Sequence, residues 1–209
     1  MPNHCYNILR LAENPHRLEE VLRPFLSHPH PNERQLDLEK ILPMPPGILA
    51  TCQPNPSESQ STWSEREEEN LKNHGHRDWH SWACGNWGTK WNTYDNNFTE
   101  TSVSFSSAWS PPIGALAELA KITKEAWILE YLEEGCDFIG RTHLTPDGID
   151  DACYTLEEAP EELKDSLGYT SPEDFEEIFP PPPTALTSTP TPPSPSTLTP
   201  NSPSCFPNL

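Results

Sequence analysis

A strand–helix–strand pattern that occurs twice, helical spacing of apolar residues in the segments between the strands, and an abrupt compositional change at Pro180 together predict the fold class. They point to an α+β fold, a ferredoxin-like antiparallel sheet with two helices on one face. A long helical insertion separates the halves, and a disordered C-terminal tail follows. The expected organisation is a ferredoxin-like domain over residues 1–150 with an insertion at 45–97, an acidic segment at 151–179, and a Pro/Ser/Thr-rich tail at 180–209.

The elements follow in order. Cys5 to Leu11 alternates as a strand does and stops at Asn14-Pro15. Asn14 is a suitable N-cap and Pro15 a suitable first helical residue, and Leu18, Val21, Leu22, Phe25 and Leu26 recur at helical spacing. Pro24 predicts a kink near the end of that helix. Leu36, Leu38, Ile41 and Leu42 read as a second strand ending at the Pro43–Gly47 run. A loop at 45–61 precedes a helix from Trp63 to about Trp82, with Gly75 as its weak point. After a short run at 91–95, Thr101 to Trp109 is the next strand. Ser110-Pro111-Pro112 starts a helix carrying Ile113, Leu116, Ala117, Leu119, Ala120 and Ile122. Trp127, Leu129 and Tyr131 alternate as a strand, Glu133–Gly135 turns into Cys136–Leu144, and Thr145–Gly148 is a further turn. Short acidic helices are expected within 156–179.

Composition excludes several classes. The chain has 209 residues and a net charge of −19, from 13 basic against 32 acidic side chains. Glu157, Glu158, Glu161, Glu162, Asp165, Glu173, Asp174, Glu176 and Glu177 stand against Lys164 alone. Such a chain repels nucleic acid phosphates, so no direct nucleic-acid binding is expected. The acidic segment reads either as a solvated surface or as a face that binds a basic protein, including by mimicry of DNA. Residues 180–209 carry no charge and are rich in proline, too poor in apolar side chains to build a core. The six cysteines form no C-x-x-C pair. With no basic n-region or apolar h-region after Met1 and no membrane-length apolar run, the expectation is a cytoplasmic protein with reduced thiols.

The candidate binding segment is Asn86-Trp87-Gly-Thr89-Lys90-Trp91, joined by Trp109 at the end of the following strand. Tryptophans four apart with a cation and an amide between them suit a stacked ligand or an anchored peptide; the competing reading is that the rings fill the core. His76, His80 and Cys84, with His74 beside them, line one face of a continuous helix and would suit zinc, if the helix passes Gly75 unbroken. Cys136, Asp137 and His143 lie close in sequence, but Cys136 and Asp137 fall on opposite strand faces, leaving Asp137 and His143 as the same-face pair. No G-x-S-x-G, phosphate-cradling glycine loop or H-E-x-x-H is present, so no catalytic residue is assigned.

Three segments carry a resemblance to a known family: Asn86-Trp-Gly-Thr-Lys-Trp-Asn92, Phe105-Ser-Ser-Ala-Trp-Ser-Pro-Pro112 and Tyr131-Leu-Glu-Glu-Gly-Cys-Asp-Phe-Ile-Gly140. With Asn3-x-Cys5-x-Asn7 and Leu42-Pro43-x-Pro45, residues 1–145 resemble the YubB-like ferredoxin-like domain family of mobile genetic elements. The resemblance implies a ferredoxin-like fold without an iron–sulfur cluster, and it implies no known activity. The cysteine spacing agrees, since it offers no cluster-binding run. No cofactor is expected. The functional expectation is a non-enzymatic module that binds a protein partner through a surface built by the insertion. An acidic inhibitor of a host nucleic-acid-handling protein is the second reading, and a small-molecule enzyme the third.

Overall fold

The computed structural model describes residues 3–169, except 32, 54–56 and 58. The tail at 180–209 and the acidic residues beyond 169 lie outside the described residues.

A six-stranded antiparallel sheet forms the frame, in the order β4-β5-β1-β6-β7-β8. Its strands are β1 (His4–Leu11), β4 (Tyr94–Phe98), β5 (Val103–Ala108), β6 (Trp127–Glu133), β7 (Phe138–Thr145) and β8 (Gly148–Tyr154). β1 pairs with β5 on one side and β6 on the other, so the first four strands have the ferredoxin-like arrangement and β7 and β8 extend it. Strand alternation sorts the side chains. Cys5, Leu9, Leu11, Val103, Phe105, Trp127, Leu129 and Tyr131 face the main core, under α1 (Leu18–Leu22) and α6 (Ile113–Thr123). These are the two expected helices on one face. The opposite face of β6 and β7 carries α7 (Glu161–Leu167), which seats Leu163 and Leu167 on Leu132 and Ile139. The fold therefore continues past residue 150, through β8 and α7.

The first helix is shorter than its spacing predicts. A 3-10 turn at Pro15–Arg17 leads into α1, and a second one at Arg23–Phe25 ends it at Pro24, which has no N–H to continue the ladder. Asn14 makes no side-chain cap and instead adopts a left-handed conformation, φ 50°, one that asparagine tolerates better than most residues.

The strand expected at 36–42 is not in the sheet. Only Gln35–Leu36 (β3) is extended, and it pairs with β2 (Leu26–Ser27) in a separate two-stranded ribbon. Asp37 then accepts the Glu39 N–H and caps α2 (Leu38–Ile41). The second strand of the fold is β4, so the insertion interrupts the crossover leading to it. That insertion holds α3 (Pro46–Leu49), inside the expected loop, then α4 (Gln60–His74) and α5 (Trp79–Asn86). The helix expected across 63–82 breaks at Gly75, which closes α4 at φ 75°, and restarts where Asp78 caps Ser81. Buried Asn70 ties the pieces together by donating to Gly47 O and Arg77 O. No helix among the described residues is long and apolar enough to cross a membrane.

Candidate functional site

The end of the sheet where β1 begins and β5 stops gathers most of the expected binding residues. Trp87 does not present itself to solvent there. It is buried, its ring meets Trp82 edge to face at 5.5 Å, and its Nε1 donates to Leu42 O at 2.8 Å. Asn86 closes α5 by donating to Trp82 O, with His76 Nε2 at 3.3 Å. Thr89 is buried too, and its hydroxyl donates to Ala108 O at 2.9 Å while accepting the Ala108 N–H at 3.0 Å. Trp87 and Thr89 are thus fastened inside the domain, and half-buried Asn86 closes the end of α5.

Lys90, Trp91 and Trp109 behave differently. Lys90 and Trp91 are half-buried, with the ammonium 5.0 Å from the Trp91 ring centre, a cation–π pair at the surface. Trp109 is 45% exposed and holds φ 71°, the left-handed region that a bulky side chain rarely enters. Its backbone is fixed from several directions. Thr89 grips Ala108 before it, Ser110 Oγ donates to Gly88 O after it, and its own N–H donates to Asn3 O at 3.1 Å. Gly88 suits this turn, since φ 89° favours glycine and a Cβ would meet Pro111 O at a tight 3.1 Å.

Sequence reasoning missed the surface beside Trp109. In one cross-strand row Tyr94, Ser106, Tyr6, Leu132, Ile139 and Tyr154 share the face that α7 occupies. The packing of α7 closes the Leu132–Tyr154 half of the row. Tyr6 stays 38% exposed. His4 Nδ1 lies 2.7 Å from the Tyr94 hydroxyl, which donates to Ser107 O, and burial followed by the Asp95 charge raises the Tyr94 pKa, keeping that phenol protonated. A shallow basin of about 600 Å³ lies here, lined by Asn3, His4, Tyr6, Leu132, Glu133, Glu134 and Gly135. The alternation of His4, Tyr6 and Ile8 in β1 was the available signal. What hid it is that an outward tyrosine reads as ordinary until the neighbouring face is known to lie open.

The other expected sites disperse. His76 precedes α5, while His80 and Cys84 pair within it at 3.9 Å, so the three do not form one helical face. No group of three or more metal-ligating side chains occurs among the described residues. Asp137 sits in the turn before β7 and accepts the Leu156 N–H, whereas His143 lies opposite Ile128 and Asp150, about 20 Å along the strand. The Cys136 thiol is pushed up, first by its hydrogen bond to Glu133.

A buried charge cluster joins α7 to the sheet. Glu130 is 1% exposed and accepts from Arg10 at 2.6 Å, Arg141 at 2.7 and 2.9 Å, and Ser166 at 2.5 Å. Burial alone would raise its pKa, but the hydrogen bonds from Ser166, Arg141 and Arg10 outweigh it and hold the carboxylate below its usual range. Glu130 thus accepts from three residues at once, Ser166 of α7 among them, and the cluster fastens α7 to the sheet.

Sheet order and the two helices of the main core define a ferredoxin-like domain. Residues 86–176 match the sequence family described as a ferredoxin-like domain in Api92-like protein, a stretch that begins at Asn86 and runs past α7. A crystal structure of protein api92 from Yersinia pseudotuberculosis is similar at 12% identity and a TM-score of 0.39, covering 77% of this chain and 100% of that one. No curated protein matches.

Proposed function

We propose that this chain is a non-enzymatic interaction module that captures a protein partner at the aromatic end of its sheet, with Trp109 as the anchor. One observation carries the reading: a large aromatic is held out to solvent in a conformation that costs an L-residue about 1–2 kcal/mol, by clamps on both sides. Tryptophan is the side chain most often found as an energetic anchor in interfaces. Tyr6 and the basin beside it extend the contact, and Lys90 with Trp91 end the insertion on the segment clamped to Ala108 and Ser110. The net charge of −19 argues for a protein partner over nucleic acid. Free thiols at Cys5, Cys52, Cys84, Cys136 and Cys153 support a reducing cytoplasm as its compartment. The YubB-like resemblance supports a mobile-element setting, in which the partner is a host protein or another product of the element.

The test is site-directed photo-crosslinking in the native host, with a photoreactive phenylalanine at position 109 and, as control, at exposed Leu71 on α4. A discrete adduct from position 109 that is missing from position 71 is expected. Identical adduct patterns from both positions would overturn the reading.

A further inference from the structure

The sheet has two edges, and they are built differently. At β4 the register shifts between Tyr94 and Asn97, Asp95 turns left-handed at φ 51°, and Leu36 N–H and the Gln35 side chain reach across from β3 to Asn96 and Thr93. Bulges and coverings of this kind protect an edge from further pairing. β8 has none of them. It runs from Gly148 to Tyr154 in unbroken register with β7, six of its residues are exposed, and no strand among the described residues pairs with its outer side. In an antiparallel pair alternate residues bond to the neighbour and the others turn their N–H and C=O outward. β8 therefore presents a row of unspent main-chain groups, without the lysine, proline or bulge that usually guards one.

What it carries in their place is negative charge. Asp150 lies on the face shared with α7 and Asp151 on the other face, beside Ile149, which is 52% exposed. Tyr131 and Thr142 both donate to Asp151 Oδ1, at 2.9 and 2.6 Å, and fix its orientation while leaving Oδ2 without a partner among the described residues. Asp147, Glu157 and Glu158 are exposed close by in sequence. The neighbouring bases are already engaged, Arg141 by Glu130 and Glu162, and Lys164 by Glu161.

We propose that β8 is a docking edge that takes an extended, basic segment of a partner protein as a seventh strand. Main-chain hydrogen bonds would hold the strand, as in other cases of strand addition. Its Lys or Arg side chains meet Asp150 on one face and Asp151 on the other, and an apolar residue covers Ile149. Charge selects this occupant. A second copy of the chain would set aspartates near aspartates across the new pair, which is destabilising, and nucleic acid is repelled. The proposal rests on residues other than those of the Trp109 reading and survives its failure.

The probe is a capped peptide of lysine–lysine–valine repeats, which puts basic side chains on both strand faces. The control is the same peptide N-methylated at every residue, so that charge is kept and the main-chain donors of both edges are lost. Titration into the isotopically labelled full chain at about 0.15 M salt, where long-range attraction is largely screened, reads amide shifts by residue. The expected result is shifts centred on Ile149 to Cys153, binding at least about tenfold weaker for the N-methylated peptide, and weaker binding by Asp150→Asn at unchanged melting temperature. Equal binding of the two peptides would reduce the effect to charge attraction and overturn the proposal. So would no binding of either, shifts confined elsewhere, or light scattering that shows a dimer dispersed by Asp150→Lys.

Discussion

Tryptophan has opposite fates at two positions twenty-two residues apart, Trp87 and Trp109. Trp87 points into the core because α5 delivers it beneath Leu42, and Trp109 points out because three hydrogen bonds force its backbone left-handed. Sequence shows both as aromatic residues in a motif. Only the local backbone separates them, and neither spacing nor composition encodes φ. Trp87→Ala should therefore destabilise by about 3–5 kcal/mol, the usual result of emptying a buried aromatic site, whereas Lys90→Ala should leave the melting temperature unchanged. Thermal denaturation of both variants checks this. Gly140 gives a second case. Its missing side chain is the space in which the Tyr131 ring lies, so Gly140→Ala should cost at least about 1–3 kcal/mol by overpacking. A melt as high as that of the parent protein would contradict the placement of Tyr131.

At the scale of elements, the sheet's central strands were legible because β1, β5 and β6 alternate cleanly, and α6 because its apolar residues recur at helical spacing. β4 was not, since Tyr94-Asp-Asn-Asn-Phe98 holds three residues that disfavour strands and is assembled by its neighbours. Asp37 was the overlooked signal that 38–41 is helical. β8 and the seat of α7 were hidden too, because a nearly all-exposed edge strand has no inward pattern to read. The Glu130 cluster fastens α7, and its pH dependence follows from the sign of the shift. A carboxylate whose folded pKa lies below its ordinary value of 4.5 stabilises the fold above that value, and the contribution disappears as pH falls through the folded pKa. Stability should decline below about pH 4.5 more steeply in the parent than in Glu130→Gln. That variant should itself lose about 3 kcal/mol at neutral pH, because Arg10 and Arg141 lose their shared partner. Cys5 acts at the other end of the scale. Burial raises its thiol from 9.0 to about 12, so its contribution is complete below pH 9 and is lost as pH rises toward 12.

For the whole molecule, a net charge of −19 means self-repulsion that a compact domain must withstand. Raising sodium chloride from about 0.02 to 0.5 M should raise the melting temperature as screening shortens the range of that repulsion; a fall would show that attractive pairs dominate. The same charge directs both proposed surfaces toward proteins, with the aromatic end offering apolar contact and the β8 edge selecting a basic strand. The central claim is that Trp109 is kept strained and exposed for binding at the expense of stability. Glycine accepts φ 71° without steric strain, so Trp109→Gly relieves the strain while removing the anchor. The decisive measurement pairs a thermal melt with a titration of the partner recovered by crosslinking, on the parent and on Trp109→Gly. The account predicts opposite signs: a melting temperature higher by about 2–4 °C, corresponding to roughly 1 kcal/mol at this size, and affinity reduced by about 30-fold or more, the effect of losing an anchor side chain. A variant that melts lower and binds as well as the parent would mean that Trp109 serves the fold, and would contradict the account.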